Sequence, residues 1–170
     1  GLLSHDNGRT FATILATHSN SIAMKTARHE LVILGGGPAG YVAAIRAAQL
    51  GIDVACIDDN PRFGGTCVRV GCIPSKALLE SSHLYEEAHH KFADHGLNVS
   101  NVEVDLDVMM KRKEKIVESL TGGIDMLFDR RGVTAYHGRG RLRDVDSIEI
   151  TASEGAADDH ADPQEAEPDA

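Results

Sequence analysis

Two cysteines five residues apart, Cys67 and Cys72, are the side chains in this sequence best suited to covalent chemistry. They bracket Val68-Arg69-Val70-Gly71 and stand just ahead of a stretch, Ser75 to about His90, that reads as a long helix. A disulfide between them would close a small ring, and so short a loop stabilises a fold by only about 2 kcal/mol through chain entropy. A structural staple is therefore a poor use of the pair. A helix start lowers a thiol pKa and favours the thiolate, the species that exchanges disulfides. A redox-active pair is the leading reading. Two others stay open: unpaired structural thiols, and a zinc site, although no second Cys or His pair lies at zinc-ligand spacing. The third cysteine, Cys56, sits among apolar neighbours and reads as a small buried residue. The pair His89-His90 reads as a solvated helix end, and no metal site is expected.

A second chemistry is written in glycines. Gly35, Gly37 and Gly40 fit G-x-G-x-x-G, with Pro38 and Ala39 between the last two. The pattern alone is weak, but its surroundings are those a dinucleotide turn requires. It follows the apolar run Leu31–Leu34, which suits a strand buried on both faces. It opens the Ala-rich stretch Tyr41–Leu50, a good helix former, stopped by Gly51. A second strand, Ile52–Ile57, ends at Asp58, 18 residues after Gly40. Gly35 would allow the tight turn, Gly37 the approach of a diphosphate, and Gly40 the close packing of helix on strand. The N–H groups at the helix start would hold the anion. Asp58 would accept from a ribose hydroxyl, with Asp59 its neighbouring candidate. The alternative is a tight strand–helix turn with no ligand.

The elements that must carry these groups follow from periodicity. A glycine turn at Gly64-Gly65 leads into the cysteines, and Pro74 stands near the start of the helix after them. A second helix, about Asp105 to Phe128, shows apolar residues three or four apart. Val133–Tyr136 reads as a third strand, Gly138-Arg139-Gly140 as a turn, and Ser147–Thr151 as a short last strand. The class is α/β, a Rossmann-like parallel sheet with flanking helices. Composition fits an ordinary soluble globular protein, with no apolar run long enough for a membrane helix. The net charge of −9 is concentrated: seven acids and no Lys or Arg lie between Thr151 and Ala170. The rest is close to neutral and offers no basic surface for nucleic acid. Residues 152–170 read as a disordered acidic tail. Residues 1–28 read as a leader or extraneous segment outside the fold, with Met24 the expected start. They lack the charged start and apolar run of a secretory signal. Thiol chemistry without such a signal favours a bacterial cytoplasm, with the mitochondrial matrix second.

The stretch Gly64 to Leu79, Gly-Gly-Thr-Cys-Val-Arg-Val-Gly-Cys-Ile-Pro-Ser-Lys-Ala-Leu-Leu, resembles the pyridine nucleotide–disulfide oxidoreductases. The continuation from Ile73, with Tyr41 to Gly51 and Ser82-His83-Leu84-Tyr85, is most similar to the lipoamide-dehydrogenase branch. Glutathione and mercuric reductases share the cysteine spacing and are the alternatives within the family. A stand-alone FAD module is the alternative outside it. The resemblance implies that residues 29–151 are part of an FAD-binding domain. It implies a disulfide Cys67–Cys72, with Cys67 the interchange thiol toward dihydrolipoamide. Cys72 would pass electrons to the flavin, and reduced FAD would hand hydride to NAD+. Residues 58–67 (including Asp58, Asp59, Gly64, Gly65, Thr66 and Cys67), Lys76 and Gly140 would line the FAD site. The implied partners are a second subunit and the lipoyl domains of 2-oxo acid dehydrogenase complexes. Two departures stand out. Arg69 occupies a position where the family usually has Asn. After Thr151 nothing resembles the family's remaining FAD segment, NAD domain or dimer-interface domain, so this chain alone is expected to be inactive.

Overall fold

Alternation of short apolar runs with Ala-rich and amphipathic stretches produces two sheets and four α-helices in the computed structural model, which describes residues 11–18 and 21–152. In chain order the elements are strands β1 (Ala12–His18), β2 (Ser21–His29) and β3 (Leu31–Leu34), helix α1 (Pro38–Gln49) and strand β4 (Val54–Asp58). There follow the short helix α2 (Gly65–Arg69), helices α3 (Cys72–His90) and α4 (Leu106–Arg131), and strands β5 (Thr134–His137), β6 (Arg139–Asp144) and β7 (Ser147–Thr151).

Strands β3, β4 and β5 form a parallel sheet with β4 in the middle. All five residues of β4 are buried, because successive side chains serve two different cores. Val54 and Cys56 pack with Ala44 and Ala47 of α1 and Ile124 and Phe128 of α4. Ala55 and Ile57 face the other way, onto Ile14, Ile148 and Ile150 of a second sheet. A strand covered on both faces reads as a continuous apolar run, which is how the sequence shows it. The parallel sheet with flanking helices is the expected α/β, Rossmann-like arrangement.

The second sheet, in the order β2-β1-β7-β6, differs from the sequence reading. Residues 1–28 were expected outside the fold, yet β1 and β2 pair as an antiparallel hairpin, and β1 lies parallel to β7. Ile14 is 1% exposed against Ile148 and Ile150. A Ser- and Thr-rich composition hid this, because the partner strand lies more than a hundred residues away. The expected turn at Gly138-Arg139-Gly140 is also corrected: Arg139 and Gly140 begin strand β6. Three exposed arginines at the sheet edge broke the apolar signal, and charge on an edge strand is how sheets avoid unwanted pairing. Residues 1–10, 19–20 and the acidic stretch 153–170, read as disordered, lie outside the described residues.

Helices α1 and α3 start about three residues earlier than periodicity placed them, whereas α4 starts one residue after the expected Asp105. Pro38 and Cys72 each open a helix, and Pro is at home in a first turn, where its missing N–H is not needed. Helix α4 is capped at one end by Asp105, which accepts the Val108 N–H at 3.0 Å, and at the other by left-handed Gly132.

Candidate redox and dinucleotide site

The turn from β3 into α1 is built as the glycine pattern requires. Gly35 adopts φ +99°, and its N–H donates to the Ile57 carbonyl of β4 at 2.7 Å. A Cβ at Gly40 would collide with the Gly35 carbonyl oxygen, so only glycine lets the helix start this close to the strand. Gly37 is the N-cap, and no side chain caps α1. Its first-turn N–H groups therefore face the carboxyl edge of the sheet without a side-chain acceptor, at the positive end of the helix dipole.

Asp58 does more than the sequence reading gave it. Its Oδ2 accepts the Gly36 N–H at 2.6 Å, and its Oδ1 accepts both the backbone and side-chain N–H of Asn60 at 2.9 Å. The carboxylate thus braces the loop after β4 against the glycine turn. Of its roughly four acceptor positions, one remains for a ligand hydroxyl. Asp59 is exposed and accepts from Asn60 Nδ2 at 2.9 Å. Gly35, Asp58, Asp59 and Gly140 meet in a pocket of about 230 Å³ that Gly138 and Arg139 also line. Arg139 was passed over because nothing local marks it; the β5–β6 connection brings it there.

The second glycine loop packs directly on the first. Gly64 N–H donates to the Gly36 carbonyl at 2.8 Å, and a Cβ on Gly65 would come within 2.6 Å of Gly37 Cα. A Cβ on Gly36 would run into the ring of Phe63, which is itself anchored on Phe128 with centroids 4.8 Å apart. Backbone-to-backbone packing of the two loops fixes where α2 begins, and α2 carries the first cysteine.

Cys67 lies half-buried within α2, and Cys72 is exposed as the first residue of α3. They are joined by a disulfide with Cα atoms 4.6 Å apart, inside the range a disulfide spans. The redox loop turns tightly between them, with Gly71 N–H donating to the Thr66 carbonyl at 2.6 Å. Thr66 is exposed at the start of α2, and Lys76 is exposed one turn into α3. Cys56 is apart from this chemistry: burial, with the Asp58 carboxylate adding to it, pushes its thiol up to about 12. A thiol held protonated is neither a nucleophile nor a ligand. Eleven of the expected positions, Gly35 to Gly40 and Asp58 to Cys67, thus lie on two interlocked loops or beside them; Cys72 is tied in by the disulfide, Lys76 follows on α3, and Gly140 reaches the site from β6.

A profile of the pyridine nucleotide-disulphide oxidoreductase family matches residues 29–161. This chain belongs to that family. The mitochondrial dihydrolipoyl dehydrogenase of Pisum sativum is 48% identical over 149 residues, 88% of this chain and 30% of that protein. The leghemoglobin reductase of Glycine max is 49% identical over 144 residues, 85% of this chain and 28% of that protein. Among solved structures, LpdA from Mycobacterium tuberculosis superposes with a TM-score of 0.60 at 31% identity, over 68% of this chain and 24% of that one. The chain therefore spans less than a third of the length of these relatives.

Proposed function

We propose that this chain is the redox-disulfide and FAD-binding part of a dihydrolipoyl dehydrogenase. The observation that carries the reading is the Cys67–Cys72 disulfide, seated at a helix start on a loop that interlocks with a dinucleotide-type glycine turn. The residues fit FAD. The uncapped start of α1 suits a diphosphate, Gly37 and Gly65 leave the backbone bare, and Asp58 keeps one acceptor position for a ribose hydroxyl. FAD, when bound, would take an electron pair from the reduced cysteines and release it to NAD+ as hydride.

The chain's own residues do the thiol work. A thiolate of dihydrolipoamide attacks Cys67 Sγ, the Cys67–Cys72 bond breaks, and the electron pair leaves on Cys72 Sγ. The second lipoyl thiol then displaces Cys67, which yields lipoamide and a reduced pair. The start of α3 lies at Cys72, so the helix dipole stabilises the leaving thiolate there. Lys76, one turn on, adds a positive charge on the same helix face. The role of Cys67 as interchange thiol comes from the family resemblance. Lipoyl domains of 2-oxo acid dehydrogenase complexes are the proposed partners, and a second copy of the longer protein completes the dimer. The mitochondrial name of the Pisum relative supports the matrix over the cytoplasm.

The test is a trapping experiment. In a Cys72→Ser variant of the chain, oxidised lipoamide followed at once by iodoacetamide, which blocks the freed lipoyl thiol before it can re-close the ring, should leave a mixed disulfide on Cys67, seen by peptide mass spectrometry. In Cys67→Ser the adduct should be scarce. Adducts in neither variant, or mainly on Cys72, would overturn the assignment.

A further inference from the structure

A second pocket, of about 320 Å³, opens between the Pro61-Arg62 stretch, the redox loop and helices α3 and α4. It shares no residue with the dinucleotide pocket. Three cations, Arg62, Arg69 and Lys113, line it against one carboxylate, Glu114, while Pro74 and Val117 belong to its apolar wall. Lys113 Nζ is paired with Glu114. Arg62 Nη2 stands 3.9 Å from Glu118 Oε1, a loose contact, and Arg62 also lies near enough to Asp125 to act on its carboxyl. Arg62 Nη1 is buried with no hydrogen-bond acceptor among the described residues. A buried N–H without an acceptor is rare, and here it belongs to a cation at the wall of a cavity. Arg69 and Val70, also in the wall, are part of the loop that the disulfide closes. Arg69 is the residue where the family usually has Asn.

We infer that this pocket binds a compact polyanion, through phosphate or carboxylate oxygens, and that the bound anion makes the Cys67–Cys72 pair harder to reduce. Two guanidinium groups beside an apolar floor suit an anion of several oxygens with a small carbon body, and guanidinium forks bind such oxygens in pairs. The coupling follows from charge. Reduction by a dithiol breaks the Sγ–Sγ bond, places the electron pair on the two sulfurs with any protons they take, and oxidises the reagent to its disulfide. The thiolate character so created is favoured by the Arg69 cation within the same loop. An anion bound beside Arg69 adds negative charge next to that loop and favours the disulfide. By linkage, reduction weakens anion binding by the same factor. The coupling rests on the redox reading of the pair; the binding site does not.

The experiment uses the 170-residue chain with two probes, citrate and inorganic phosphate, at ionic strength matched with chloride. Calorimetry should show saturable binding of one anion per chain, weakened about tenfold or more in Arg62→Gln and in Arg69→Asn. Arg69→Lys should keep part of the affinity, and Lys91→Gln, remote from the pocket, should keep all of it. Tighter binding of citrate assigns the carboxylate source, and tighter binding of phosphate the other. In dithiothreitol redox buffers, a saturating anion should shift the oxidised-to-reduced ratio about fivefold toward the disulfide, and Arg69→Asn should abolish the shift. Absence of saturable binding, or equal binding in all folded variants, would overturn the site. Binding without a shift in the ratio would overturn the coupling. A pair that no dithiothreitol ratio reduces would instead overturn the redox reading and the coupling with it, leaving the binding result to judge the site alone.

Discussion

Cys56, Cys67 and Cys72 have one chemistry and three environments, and the environments decide what each sulfur does. Cys56 is wholly buried between two sheet neighbours, and its thiol is pushed up to about 12. Below about pH 9 the thiol is protonated in the folded and unfolded chains alike. Between about 9 and 12 only the unfolded chain loses the proton, so folding stability must fall as pH rises through that window. Tyr136 is raised as well, by burial first and then by Asp53, and it acts in the same sense. Thermal melts across this range should show the decline, and Cys56→Ala should flatten part of it; an unchanged slope would remove Cys56 from the explanation. Gly40 gives a second residue-scale prediction. Gly40→Ala should destabilise by roughly 1–3 kcal/mol in urea unfolding, because its methyl group has no room beside the Gly35 carbonyl. The cysteine pair and the glycine spacing were legible because each is a local pattern with a local reason. The bracing by Asp58 of Gly36 and Asn60 was not, since one of those partners lies 22 residues away. Phe63 under Gly36, and Arg139 in the pocket wall, were hidden for the same reason.

At the scale of elements, long periodic segments were read correctly and short or weakly patterned ones were not. Helices α1, α3 and α4 and strands β3, β4, β5 and β7 all appear in the sequence as runs or stripes with punctuation at their ends. Helix α2 has five residues, too few to show a period of 3.6. Strand β1 depends on parallel pairing with β7, more than a hundred residues on, and β2 in turn pairs with β1, a cause no window of the sequence contains; β6 pairs with its neighbour β7, but its exposed arginines hid it. Two predictions belong here. Asp105→Ala removes the cap on Val108 and should cost about 1 kcal/mol of stability in urea unfolding. Ile14→Ala should cost about 2–4 kcal/mol if β1 is part of the cooperative fold, since Ile14 fills the core between the two sheets. A loss near zero would mean that the hairpin does not unfold with the rest.

At the scale of the molecule, two interlocked glycine loops join a parallel sheet to a disulfide-bearing helix start. That arrangement puts a nucleotide-type turn and a thiol pair on one rigid edge, which is what electron transfer between sulfur and a bound ring would need. The family is shown by residues spread over most of the chain, whereas the proposed lipoyl turnover would belong to a protein about three times as long. The most direct measurement is a visible-absorbance titration of the chain reconstituted with FAD, reduced stepwise with dihydrolipoamide under anaerobic conditions, beside its Cys72→Ser variant. The account predicts one flavin per chain and a long-wavelength charge-transfer band that rises with two-electron reduction in the parent and is absent from the variant. Flavin that stays unbound, or spectra that are the same for parent and variant, would contradict it.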